Sequence, residues 1–163
     1  MALWLESILG CAVFAMIFVG TTAKNPLSQI HNYPPAIQER CKKLGLITEG
    51  QMGYRKKDWM RKLIGIVLLG LVLGFLVYNF NDADTFFLGF AYSYLLWNII
   101  NWFDVIVLDC IWFCHSKKVI IPGTEDMKEY KDYLFHIKGG FKGVLFGLPA
   151  CLLAGAFVLL FLF

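Results

Sequence analysis

The residues with chemical capacity crowd into two stretches of the 163-residue chain. The first, YLLWNIINWFDVIVLDCIWFCH, runs from Tyr94 to His115 and interrupts an apolar run with Asn98, Asn101, Asp104 and Asp109. At 100° per residue, Tyr94, Asn98, Asn101, Asp104, Asp109, Trp112 and His115 fall within an arc of roughly 140°. Carboxylates and carboxamides along one side of an apolar helix make either a site for a proton, cation or small polar ligand, or a polar packing face. Asp104 is the residue to watch, because no Lys or Arg stands inside any apolar run of the chain. A buried carboxyl group without a fixed cation is suited to exchanging a proton or holding a mobile cation. Asp109 is expected to lie within reach of Lys24, Arg61 or Lys62 as those side chains extend to the interface. Asn98 and Asn101 are expected near the middle of the bilayer, tying helices together or contacting the ligand.

Cys110, Cys114 and His115 follow directly. The two cysteines share a helical face, while His115 points about 100° away from Cys114, so they do not form a metal site by themselves. The second stretch is SKKVIIPGTEDMKEYKDYLFHIKGG. Pro122-Gly123 predicts a turn, Thr124 a helix N-cap, and Glu125 with Asp126 an acidic first turn. Met127, Tyr130, Leu134 and Ile137 would form the apolar stripe of a helix lying along the interface, with Tyr133 beside it. Glu125, Glu129, Asp132 and His136 recur at i, i+4, i+7 and i+11 on the other side, where they could hold a divalent metal. A solvated face laced with Lys128 and Lys131 is the more usual meaning of such a pattern. No other cofactor is implied, and no catalytic motif such as H-E-x-x-H, G-x-S-x-G or a P-loop occurs, so no catalytic residue is assigned.

The elements that must position these residues are transmembrane helices. A chain 58% hydrophobic and 17% charged, with its charges segregated between long apolar runs, is a multi-span membrane protein. Four spans are expected at about 3–23, 63–80, 86–113 and 141–163 in one all-α membrane domain, with loops 24–62 and 114–140 between them. The first run is read as retained, since it lacks a basic flank and carries Glu6. Nine of the fifteen Lys and Arg lie between Lys24 and Lys62 and six between Lys117 and Lys142. That bias predicts both termini outside and both long loops in the cytoplasm. None of the five cysteines then falls outside, so a disulfide framework is not expected. Nucleic acid is not an expected partner.

Within the first loop, Pro34-Pro35 starts and Gly45 ends a short helix, with Ile37, Cys41 and Leu44 on one face and basic residues elsewhere. It should lie on lipid or on the bundle, and its charges should attract anionic headgroups. Arg55, Lys56, Lys57, Arg61 and Lys62 lead into the second span, with Trp59 as an interfacial anchor. In the fourth span Gly139, Gly143, Gly147, Cys151 and Gly155 recur every four residues, a ridge for a close helix contact within the bundle or across a homodimer or partner subunit. Pro149 should kink it.

The IPGTEDMKEYKDYLFHIKG segment, with WFDVIVLD before it, resembles a family of small bacterial four-span membrane proteins of unknown activity. The resemblance covers most of the chain, most specifically Asp104–Gly143. It implies the four-span topology and a bacterial inner membrane, supplies no mechanism, and draws Asp104, Asp109, Gly123, Thr124, Glu125, Tyr130, Tyr133 and His136 together as a group. Some relatives carry the label of transporter permeases, although no ATPase-coupling signature is evident here. Three function classes follow. The first is binding or transport of a small ligand, cation or proton through the stripe. The second is a membrane-interface enzyme acting on a lipid or isoprenoid, using Asp109, Glu125, His115 or His136. The third is an assembly subunit packing through the glycine ridge.

Overall fold

The computed structural model describes residues 3–52 and 56–161, and the side chains among them except those of 51–59. Arg55 and the side chains of Lys56, Lys57 and Trp59, including the expected anchor at Trp59, lie outside the described residues. The helices are α1 (Leu3–Lys24), α2 (Pro35–Lys43), α3 (Glu49–Met52), α4 (Lys56–Phe80), α5 (Phe86–Phe103) and α6 (Tyr133–Phe161), with no strand among the described residues. Leu3–Lys24, Met60–Phe80, Phe86–His115 and Tyr133–Phe161 are long and apolar enough to cross a bilayer. The chain is therefore an all-α, multi-pass membrane protein.

Helix α6 is the centre of the bundle, packed along both α4 and α5, with α1 leaning on α5. Small residues make this possible. A Cβ on Gly70 would meet Ala150 and Leu153, one on Gly74 would meet Phe157, and one on Gly147 would collide with the Trp97 ring. Gly143 is covered by Asn101 and Gly155 by Phe86, so three of the four ridge glycines expected to offer a partner surface are occupied within the chain. Gly139 alone of the four faces open space. Helix α1 is held at the opposite end, where the buried Glu6 carboxylate accepts hydrogen bonds from Asn81 Nδ2 at 3.0 and 2.8 Å.

The two long connections pack together at the other end, called here the loop end. Ile30, Tyr33, Ile37, Cys41, Ile47, Val119, Ile121 and Tyr130 form a second core with Phe113 and Cys114 of the third span. Tyr33 Oη donates to Val119 O at 2.9 Å, and Arg40 Nε donates to Gly123 O at 3.3 Å, so the first loop is bonded directly to the second. Helix α2 thus buries Ile37 and Cys41 against the other loop, while Leu44 stays exposed. Burial pushes the Cys41 thiol and the Tyr33 phenol above their ordinary values.

The expected loop helix over 124–137 does not form. Ile121-Pro122-Gly123-Thr124 is a tight turn, with Gly123 at φ 87° and Thr124 N bonded to Ile121 O at 3.1 Å. Thr124 caps no helix. Its buried hydroxyl donates to Ile121 O at 2.7 Å and contacts Tyr130 Oη at 2.6 Å. A short 3-10 turn covers Lys128–Lys131, and α6 starts at Tyr133 with Asp132 Oδ1 accepting from Phe135 N at 2.9 Å as its cap. The fourth helix therefore begins at Tyr133 rather than Phe141, and Leu134 and Ile137 are exposed on it.

Candidate ligand-binding site

The backbone of the third span changes pitch where its acidic residues lie. α5 ends at Phe103, and Asp104–Trp112 continues as a π-helix, followed by a 3-10 turn over Phe113–His115. Wider i→i+5 winding turns by only about 82° per residue, so residues five apart stand about 50° from one another. Regular α-helical winding would have set Asp104 and Asp109 about 140° apart, at the two edges of the stripe. The π segment instead brings both carboxylates to one side.

Facing them is α6. The two helices run antiparallel, and three contacts fix their register. Trp97 Nε1 donates to Gly143 O at 3.0 Å, Asn101 Nδ2 donates to Gly140 O at 3.1 Å, and Val105 packs on Gly140. Continuing this register brings His136 opposite Asp109, and His136 Nδ1 stands 3.1 Å from Asp109 Oδ2. The partner expected for Asp109 among Lys24, Arg61 and Lys62 is thus replaced by an imidazole. Lys62 Nζ lies 5.9 Å from the centre of the Phe146 ring.

Because Asp109 presents an acceptor, Nδ1 of His136 carries its hydrogen and Nε2 is left facing inward. The His136 side chain is 3% exposed and wedged edge-on between Phe113, at 5.2 Å, and Phe135, at 5.3 Å. Asp104 lies close enough to Asp109 and His136 for both to act on it electrostatically. Two polar atoms of this trio, Asp104 Oδ1 and His136 Nε2, are buried without a hydrogen-bond partner among the described residues. Leaving one such group unsatisfied costs about 1–3 kcal/mol, so the cluster departs from the usual rule of satisfied interiors.

Depth differs from the expectation too. The roughly 20 residues that cross the hydrocarbon, counted from Phe86 at the start of α5, end near Val105, which packs on Gly140 of α6. That count places Asp104 at the edge of the hydrocarbon and Asp109 with His136 in the headgroup layer. Asn101 stands one turn inside that edge rather than at the midplane. It is committed to Gly140 O, while Asn98 Nδ2 bonds Tyr94 O of its own helix at 2.8 Å.

The remaining candidates are dispersed. His115 Nδ1 donates to Ile111 O at 2.9 Å, and Tyr133 Oη approaches His115 Nε2 at 3.3 Å, on the exposed surface. Both Glu125 oxygens accept from Gly123 N, at 3.0 and 2.9 Å, and this bond holds the exposed carboxyl below its usual range. Asp132 caps α6, and Tyr130 is buried in the loop core. Glu125, Glu129, Asp132 and His136 do not share a face, because the helix that would align them is absent. No group of three or more His, Cys, Asp or Glu suited to a metal ion occurs among the described residues, and the five thiols are free.

No protein-family model, curated protein or solved structure matches this chain. The class of the protein, a four-span helical membrane bundle, therefore rests on the fold, and its activity has to be argued from the site.

Proposed function

We propose that this is a small integral membrane protein that binds a proton at the Asp104–Asp109–His136 cluster and passes it across the bundle. The observation that carries this reading is the pair of buried polar atoms, Asp104 Oδ1 and His136 Nε2, left without partners among the described residues beside a bonded Asp–His pair. A carboxyl oxygen and an imidazole nitrogen buried without partners are suited to taking up and releasing a proton. The two basic loops at the same end support a cytoplasmic orientation for it, with the termini outside, in a bacterial inner membrane. The ion then enters from the cytoplasmic headgroup layer.

The test is proton flux in proteoliposomes loaded with a pH-sensitive dye, driven by a potassium gradient with valinomycin. Wild-type protein should equilibrate pH faster than empty liposomes, and Asp104→Asn, which keeps size and shape, should fall to the empty-liposome rate. Equal flux in both proteins, or wild-type flux no faster than empty liposomes, overturns the transport reading. The headgroup depth of the Asp109–His136 pair also favours one second reading, acid–base chemistry on a lipid. Turnover of phospholipid by the purified protein, lost in His136→Gln, would decide for that reading.

A further inference from the structure

Beside the cluster, with Phe113 between the pocket and His136, the loop end holds a pocket of about 510 Å³ between the last turn of the third span and the segment that replaces the expected loop helix. Phe113, Ile120, Met127 and Tyr130 form an apolar floor, and Lys117, Lys128 and Lys131 stand around it. Glu125 is the one carboxylate of the lining among the described residues, and it is already committed to the Gly123 N–H. Three ammonium groups thus face one carboxylate whose charge is partly spent. Such a concave site with an apolar base and an excess of cations fits an anion carrying an apolar or uncharged stem. Its frame is rigid. Tyr130 Oη accepts from Ile121 N at 2.9 Å and meets the Thr124 hydroxyl, which fixes the floor. Ser116, also in the lining, accepts from Lys118 N at 3.2 Å and so keeps its own hydroxyl hydrogen available as a donor.

We propose that this pocket binds a phosphate group, with Lys117, Lys128 and Lys131 around the phosphate and the Phe113–Tyr130 floor under the group that carries it. Phosphate suits lysines that approach as separate point charges, with no planar fork required. The pocket lies just past the headgroup layer, so the phosphate can belong to an anionic phospholipid or to a soluble phosphate ester. The inference is independent of proton binding at Asp104.

Native mass spectrometry and titration of the full chain in neutral-lipid nanodiscs separate the sources. One arm adds phosphatidic acid to the nanodisc, and the other adds glycerol phosphate to the solution. The triple variant Lys117→Gln, Lys128→Gln, Lys131→Gln changes exposed side chains only, and Lys42→Gln, Lys43→Gln serves as a control of basic residues outside the pocket. Saturable binding in either arm, weakened at least tenfold by the triple variant and less than twofold by the control, supports the pocket and identifies its source. Equal weakening by both variants would mean that general surface charge holds the anion, and that result overturns the proposal. So would the absence of binding in both arms.

Discussion

The α5–α6 interface has two halves that obey opposite rules. In the half buried in the bilayer, Trp97 and Asn101 give their hydrogens to Gly143 O and Gly140 O, and glycine lets the backbones approach closely enough for those bonds. The half at the loop end begins at Asp104, widens into a π-helix, and leaves Asp104 Oδ1 and His136 Nε2 without partners among the described residues. In the first half Trp97 and Asn101 are thus spent on packing, although the buried Ser93 Oγ of α5 also has no partner among the described residues. In the second half a carboxyl and an imidazole are left open where the helix pair enters the headgroup layer.

The largest effect should come from breaking the packed half. Gly147→Leu forces the Trp97 ring out of its place and should cost about 3 kcal/mol by thermal unfolding in detergent, whereas Gly139→Leu, pointing into open space, should change stability by less than about 0.5 kcal/mol. Equal losses would mean that the ridge does not seat α5. Next comes the open half. Asp109→Ala leaves His136 buried without its partner, and with Asp109 partly exposed the cost should be about 2 kcal/mol. A double-mutant cycle with His136→Gln should show coupling of about 1 kcal/mol or more, and additive losses would deny that the two residues act as a pair.

The smallest effect concerns pH and separates the cluster from its surroundings. Glu125 has a lowered folded pKa through its bond to Gly123 N. A depressed carboxyl stabilises the fold above its unfolded pKa, and the gain disappears as pH falls through the folded value. The protection of the Gly123 amide, its exchange rate relative to the intrinsic amide rate at the same pH, should therefore fall on acidification below about pH 4.5, the ordinary range for glutamate. In Glu125→Gln that protection should be independent of the titration. A loss of protection on acidification that survives the substitution would trace the change to some other group.

Much of the architecture was legible because apolar length and charge segregation act on whole segments. The four spans, the turn at Pro122-Gly123 and the close-packed glycine ridge all follow from residue type and spacing. The polar stripe was legible as a stripe, but its geometry was not. Nothing in VIVLDCIW marks a change from i→i+4 to i→i+5 bonding, and that change decides that Asp104 and Asp109 share a side. The Thr124 cap and the spacing of Glu125, Glu129, Asp132 and His136 point to a loop helix ahead of the fourth span, whereas His136 and Gly139-Gly140 all belong to α6. Both glycines are helical, and Lys142 was the available sign that α6 extends beyond the hydrocarbon. The Asp109–His136 pairing joins residues far apart in the chain, and one sequence carries no signal for it.

On the proposed function, Asp104 exchanges a proton inside this cluster. Infrared difference spectroscopy across a pH step reads that event directly, through the carbonyl stretch of the protonated carboxylic acid. The wild-type protein should show a carboxylic-acid band that appears and disappears with pH, is absent in Asp104→Asn, and shifts when His136→Gln alters its neighbour. A spectrum in which Asp104→Asn removes no titrating band would contradict the proposed exchange.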